Sequence, residues 1–574
     1  MASIKYETLF GFSGVNRNVS PFLMKQGDVL DSENYVSEKI GVFKKTGDYL
    51  IKNSQITASQ SILGGIDFLR ADGTHEHIVA IDGVTNSYIY KDVNGTWTLQ
   101  AQLPTAGKKV RFDYSPALDM LFAVNETSDT LSFDGTSWSK YTNLQGAPRG
   151  KAVLNFGSRM YILNATLVTQ NSSTSPSLSP STSPSTSVSP SVSTSRSPSV
   201  SVSPSRSPSV SPSVSTSPSV SPSVSPSVSI SSSASPSISP SISPSVSVSP
   251  SVSVSPSVST SPSVSPSTAP ATTSYPTRAY RSELVDSGSI TWNTTDEWFT
   301  FDDVVVGGGV NGDTMLVACE NSLHILTLND DKYRVSNVGC VSHDSIASWK
   351  SLTFRAARDG VYMWNGSVDQ KISLPIQDIW DTISESDLAN ITAAVEGDNL
   401  YMSLGTVTID GSEISNVVYC YDISQDDWNR LRLADAPKHL HTFVTSTGKK
   451  LFMGDDDGKI YQMFTGGSQN GSEFRSMMET DWLYGSGEKN IDSFLEIWGF
   501  GEKLSGLKVF CKVDNGEYKP VGELNGSTDH VSFKETGYRM RVMLQEVSKN
   551  NLYELYRLEV GRLERHKKTS DTES

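Results

Sequence analysis

Cysteine is scarce in this sequence: four residues in 574, at Cys319, Cys340, Cys420 and Cys511. No CxxC pair and no metal-ligand spacing joins them, which argues against a disulfide framework and against a zinc ribbon. Cys319, Cys420 and Cys511 lie inside apolar, strand-like runs, where a thiol acts as a small hydrophobe, and the pattern suits folding in a reducing cytoplasm. Basic charge is short as well, with 47 Lys+Arg against 62 Asp+Glu and a formal charge of −15. A surface built to grip phosphates needs the opposite balance, whereas an acidic wall lets DNA slide past and also serves plain solubility. No apolar run approaches the roughly 18 residues of a spanning helix. The opening MASIKYETLFGF has no basic start followed by an apolar stretch. The expectation is a soluble cytosolic product with no membrane partner.

Chemical motifs are missing too. There is no GxGxxG leading from a strand into a helix, no GK[ST], no HExxH and no GxSxG. His75 and His77 flank Glu76, and His439 and His441 flank Leu440. Each pair would put two imidazoles on one strand face, as zinc requires, but neither has a third ligand nearby in sequence. Asp455-Asp456-Asp457-Gly458 reads as a tight turn, since it lacks the alternating oxygens and distal Glu of a calcium loop. SFDGTSW (132–138) is similar to the Asp-box of sialidases but one residue short, and no set of arginines accompanies it. It reads as a hairpin whose turn is capped by Asp134. No catalytic, cofactor-binding or metal-ligating residue is assigned, and an enzyme is not expected.

What the sequence does have falls into two kinds. From Ser172 to Thr273 it collapses to Ser, Pro, Val, Thr and a few Ile, Leu and Ala, with 19 of the 27 prolines and two charges, Arg196 and Arg206. Serine occupies every odd position from Ser173 to Ser267. Proline at this density excludes helix and central strand, so the tract reads as an extended, polyproline-like spacer. Without its two arginines the rest of the chain carries −17.

Elsewhere apolar and aromatic residues alternate between turn residues, the mark of half-buried strands. One unit recurs: a strand, a turn rich in Asp, Asn or Gly, and a strand opening on an aromatic. SYIYKDVNGTWTLQ (87–100), TLSFDGTSWSKY (130–141) and VYCYDISQDDWNRL (418–431) show it. Apolar strands such as HIVAI (77–81) and MLFAV (120–124) precede each copy, and the turns at Asp92 and Asp134 stand 42 residues apart. That spacing predicts one four-stranded propeller blade per repeat. Blades are expected near 62–100, 105–141, 149–293, 299–336, 338–373 and 390–432. A seventh from 438–464 would borrow its outer strand from the hairpin at 34–45, leaving six or seven blades open. The third would run RMYIL (159–163) into 277–293 around the tract, and SLPIQDIWDTIS (373–384) reads as a short helix. Trp97, Trp138 and Trp428 repeat at one blade position and read as core anchors. Long strands at 491–500, 506–514, 537–544 and 552–563 predict a small β-sandwich, with Tyr538, Met540, Val542 and Leu544 facing one way.

The expected architecture is therefore all-β: a six- or seven-bladed β-propeller, then an antiparallel β-sandwich. An arm and closing hairpin occupy 1–60, blades fill 61–171 and 274–465, and the insertion spans 172–273. The sandwich occupies 470–565 and a polar tail 566–574.

The segment FGFSGVNRNVSPFLMKQGDVLDSENYVSEKIGVFKKTGDY (10–49) resembles the opening of phage structural propellers. Gly14, Asn16, Pro21, Gly27, Asn34, Gly41, Lys44, Lys45 and Gly47 carry the likeness. RAYRSELVDSGSITW, with Ser282, Glu283, Leu284 and Trp292, looks like their third-blade signature, and RDGVYMWNG (358–366) like a later blade turn. Asp514-Asn515-Gly516 fits their strand-rich C-terminal domain. The resemblance is to hub, nozzle and packaged-DNA stabilisation proteins of short-tailed phages, and the tract departs from it. It implies a virion neck or tail protein assembled in the host cytoplasm as a hexameric ring beside portal, adaptor and other tail proteins. Such a ring holds packaged double-stranded DNA and lines its exit without sequence-specific contacts. The competing expectations are a carbohydrate- or receptor-binding propeller with the tract as stalk and, more remotely, a propeller hydrolase.

Overall fold

The computed structural model describes residues 4–10, 12, 14–17, 28–39, 42–141, 146–169, 271–284, 290–484 and 491–563. They belong to one of two units of the chain, Met1–Asn171 with Ala269–Ser574; the other, Ser172–Thr268, lies outside the described residues. So do the polar tail and, from the N-terminal resemblance, Pro21, Gly27 and Gly41.

The described residues are nearly all β, and their sheets have the arrangement of a β-propeller. Among the described residues seven sheets have four strands each. In the first, Ile62–Leu69, His75–Ile81, Ser87–Val93 and Thr96–Leu103 pair in sequence order. Tight turns make this possible. Between the last two strands Asp92 Oδ1 accepts the Gly95 N–H at 2.9 Å, and Asn94 and Gly95 take φ +52 and +84, the left-handed pair that a two-residue hairpin requires. In the second sheet Asp134 Oδ1 accepts the amides of Thr136 and Ser137 at 2.8 and 2.7 Å, as the Asp-box-like turn suggested.

The first strands of the sheets touch in order: 62–69, 111–115, 149–156, 305–311, 347–349, 392–396, 439–445, and 62–69 again. A separate apolar core fills several of the gaps between successive sheets. Phe68, Ile78, Leu121 and Phe133 pack between the first and second, and Ile62, Val79, Phe443 and Phe452 between the seventh and first. Second strands are thus covered on both faces, which is why HIVAI and MLFAV are continuously apolar instead of alternating.

Several expectations change. The hairpin at 34–45 does not complete the seventh sheet. That sheet takes Tyr49–Ile51 as its outer strand, beside Ile460–Met463, while Tyr35–Lys39 and Val42–Lys45 join a six-stranded sheet with Glu554–Leu563. The third sheet's third strand is Ala271–Arg281, so it begins inside the stretch assigned to the tract, and its fourth is Trp298–Thr300. In place of one helix at 373–384 stand a 3₁₀ turn, Leu374–Ile376, and a single α turn, Gln377–Trp380.

Beyond the ring are two six-stranded sheets. One orders Tyr35–Lys39, Val42–Lys45, Glu554–Leu563, Asp492–Glu502 and Thr528–Gly537, with Ile4–Phe10 also on Glu554–Leu563. The other orders Val29–Glu33, Phe474–Thr480, Arg539–Ser548, Leu507–Val513 and Lys519–Leu524, with Leu483–Tyr484 on Arg539–Ser548. Phe494, Ile497 and Leu558 from the first and Val509, Met540 and Leu544 from the second share one core. Tyr538 does not face it with Met540: it precedes the strand and is 45% exposed. The N-terminal residues are not a separate arm, since both sheets contain their strands.

Candidate functional site

Two polar constellations stand out, and sequence spacing shows neither. The first lies where the initial strands of the sheets converge. Glycine lets histidine rings approach there: a Cβ on Gly65 would lie 2.7 Å from the His441 ring, and one on Gly307 2.3 Å from His343 Nδ1. His77 Nε2 and His441 Nε2 stand 2.7 Å apart although 364 residues separate them. One must donate and the other accept, so this contact needs at least one neutral ring. His77 also stacks on Phe443 at 4.4 Å, and His441 on His439 at 5.4 Å. His75, the other half of the first pair, turns to Asp67, with Nδ1 2.9 Å from each carboxylate oxygen.

Burial, reinforced by Lys52, depresses the His77 pKa to about 3. Burial also lowers His441 well below its ordinary value, with His77 and His439 adding to the effect. His343 falls to about 3 and His439 to about 4, burial leading in both, followed by Arg111 and Lys109 respectively. Arg111 Nε donates to Asp344 Oδ1 at 2.9 Å, and its Nη1 to the Lys151 carbonyl at 2.8 Å. Burial opposes the Asp344 carboxylate, but Arg111, Lys109 and His343 together hold its pKa well below the usual range. A cavity of about 270 Å³ opens among these groups.

The second constellation is the seam between ring and six-stranded sheets, and the N-terminal segment builds it. Val15 N–H donates to the Trp428 carbonyl at 2.6 Å, and a Cβ on Gly14 would strike that oxygen at 2.5 Å. Asn34, at φ +59, accepts from Arg432 N–H at 2.9 Å through Oδ1 and donates to the Arg475 carbonyl at 2.6 Å through Nδ2. Gly47, at φ +102, leaves only 2.8 Å between that Oδ1 and a would-be Cβ. Glu33 takes a two-pronged bond from Arg475, both contacts 2.8 Å, and meets Arg430 at 3.2 Å. Lys45, its side chain fully buried, pairs with Glu546 and lies 4.3 Å from the Phe474 ring centre. Burial lowers the Lys45 pKa against the opposing pull of Glu546.

The remaining candidates are structural. Trp428 is 1% and Trp97 9% exposed, and Trp138 packs on Phe133 at 4.9 Å. Asp455 Oδ1 accepts the amides of Asp457 and Lys459 at 2.9 and 2.8 Å, closing a turn. Among the described residues no group of three His, Cys, Asp or Glu is placed to hold a metal ion. All four cysteines are buried and free. Among the described residues no helix is long and apolar enough to cross a membrane.

Fold and sites together define an all-β, propeller-like protein whose polar clusters are internal. No family model and no curated protein matches the chain. Solved structures similar to it include YCF48 bound to D1 peptide, with TM-score 0.34, 8% identity, and coverage of 76% of this chain and 97% of that one. The WD40 β-propeller domain of Doa1 gives 0.34, 7%, 73% and 97% in the same order.

Proposed function

We propose that the protein is a non-enzymatic structural component of a phage virion neck or tail. In this reading it is a seven-bladed β-propeller, closed by Tyr49–Ile51, that carries a C-terminal β-sandwich. The supporting observation is the part played by the residues of the phage-like N-terminal pattern. Gly14, Asn34, Lys45 and Gly47 all lie in the seam, where they fix the ring against the two six-stranded sheets. Three further signature residues also support the backbone. Ser282 Oγ accepts the Met160 N–H at 3.0 Å, Asn365 Oδ1 caps its own turn at Val368 N–H, 2.8 Å, and Asp514 Oδ1 receives Arg539 N–H at 3.1 Å. A pattern spent on rigidity suits a part that transmits force and holds shape. Six copies would ring the tail axis below portal and adaptor, retain packaged double-stranded DNA and line its exit.

The sugar-binding alternative loses its best platforms, since Trp97 and Trp428 are buried. The test is a phage lacking this gene, together with co-purification of the protein with portal and adaptor from the same genome. Filled capsids that lose DNA or lack the distal tail are expected. Intact, infectious particles without the protein would overturn the proposal and return a receptor-binding role to the front.

A further inference from the structure

The cavity at the ring centre has no part in the structural role. We propose that it is a binding site for a small oxyanion, a phosphate or a carboxylate, received by His343, His441 and the basic groups around them.

Three observations carry this, none of which rests on the virion reading. The cavity, about 270 Å³, is several times the roughly 30 Å³ share of one water. A second, about 330 Å³, is lined by Leu63, Lys109 and Lys438 together with the carboxylates of Asp82 and Asp387.

Polar atoms are left over there. His441 is 6% exposed and lines the cavity, yet its Nδ1 has no hydrogen-bond partner among the described residues. If its Nε2 accepts from His77, its Nδ1 carries a proton and is a donor in waiting. His343 Nδ1 accepts the Gly308 N–H at 3.2 Å, so in the neutral ring Nε2 is the donor.

The charges match an anion. Asp344 is the sole carboxylate among the lining residues, and Arg111 already neutralises it at 2.9 and 3.4 Å. Arg111 also lies 4.0 Å from Glu126, which is paired in turn with Lys108. Lys449 lines the cavity, Lys109 and Lys438 line the second one together with Asp82 and Asp387, and Lys151 acts on His343 from the third sheet. The histidines stay neutral in part because their neighbours are basic: Arg111 and Lys151 for His343, Lys109 and Arg111 for His439, and Lys52 for His77. Asp344 opposes this for His343 and His439, while at His441 the neighbouring His77 and His439 add to the effect of burial. An entering anion supplies the missing negative charge, so binding should draw a proton onto the cluster.

Isothermal titration of the full chain with inorganic phosphate and, separately, citrate at pH 7.0 and pH 5.5 tests this and distinguishes the two sources. Saturable one-to-one binding of at least one anion is expected, tighter by about tenfold at the lower pH, with heats that depend on the buffer's own protonation. His343→Gln should weaken binding by about tenfold or more. Lys449→Gln, at an exposed position that leaves the core untouched, should weaken it several-fold with an unchanged melting temperature. No saturable binding of either anion at either pH, or binding that Lys449→Gln leaves unaltered, overturns the proposal.

Discussion

The ring and the two six-stranded sheets are both antiparallel, but they are wired differently. Six of the seven ring sheets are meanders of consecutive strands, joined by short turns except in the third, where the inserted tract and the stretch 282–297 make the connections. In the six-stranded sheets, Ile4 pairs with Leu563 and Val29 with Thr480, across almost the whole chain. Local pairing closes small loops and leaves a repeating trace in sequence; distant pairing closes large ones and leaves none. The seventh ring sheet belongs with the second kind, because Tyr49–Ile51 crosses some four hundred positions to reach Tyr461–Met463. The N-terminal segment is thus the lock on a ring of locally paired sheets.

The sharpest way to break that lock is at Lys45. Its ammonium is buried against Glu546, so Lys45→Ala strands a carboxylate without its partner. A loss of roughly 3–5 kcal/mol is expected in urea unfolding. Lys45→Met with Glu546→Leu should recover most of it, since two apolar groups leave no charge unpaired. A double variant as unstable as the single one would show that the pair's geometry, rather than its charge, holds the seam.

A smaller effect separates early from late assembly. Tyr49 donates its hydroxyl to Asp435 Oδ2 at 2.8 Å and receives the Asp435 N–H at 3.1 Å. Tyr49→Phe should cost about 1–2 kcal/mol. If closure by this strand comes last, the loss appears as faster unfolding with an unchanged refolding rate in stopped-flow experiments. Slowed refolding would mean that the distant strand docks before the meanders are complete.

This wiring also explains what could be read beforehand. The hairpins around Asp92, Asp134 and Trp428 announce themselves because turn, strand and aromatic are contiguous. The strands Lys519–Leu524 and Thr528–Gly537 pass unnoticed, since only Leu524 and Val531 of their apolar side chains are deeply buried, with Val521 and Phe533 half-buried. In sequence the hairpin at 34–45 offers itself as the closing strand, whereas Tyr49-Leu50-Ile51 is too short to show a period. His77 and His441 could be seen only as two separate pairs. Gly64-Gly65 and Gly307-Gly308-Gly309 were the available signal, since glycine in an apolar strand marks close approach.

Acid should distinguish the two regions as well. His77, His343, His439 and His441 all have folded pKa values below their unfolded one. The unfolded chain therefore binds more protons between about pH 6.5 and pH 3–4, and their contribution to stability, complete above 6.5, is lost as pH falls through that window. Asp113, raised to about 6 by burial against the pull of the Asn155 and Tyr114 amides, opposes them below 6. A single variant isolates the sign: the urea midpoint of His77→Gln should fall less between pH 7 and pH 4.5 than that of the unmodified chain. Hydrogen exchange should show ring protection fading in acid before that of the six-stranded sheets. A steeper fall for the variant would mean that the histidine pair shares a proton in the folded state.

The mildest change concerns the insertion, where much sequence is expected to contribute little stability. The strands it joins, Arg159–Thr169 and Ala271–Arg281, pair in register from Tyr161 with Arg281 to Thr169 with Ala271, with one shift after Leu163. A deletion must therefore spare Ala271–Thr273, which compositional reading had assigned to the tract. Replacing 172–268 by about ten Gly and Ser residues cuts the closing loop roughly tenfold, worth about 2 kcal/mol in favour of the folded state. In a body this large that shifts the melting temperature by only a few degrees, and upward. Scanning calorimetry of both forms measures it. A fall of ten degrees or more would mean that the serine-proline sequence covers apolar surface, and the division between a folded body and a spacer without a core would have to be abandoned.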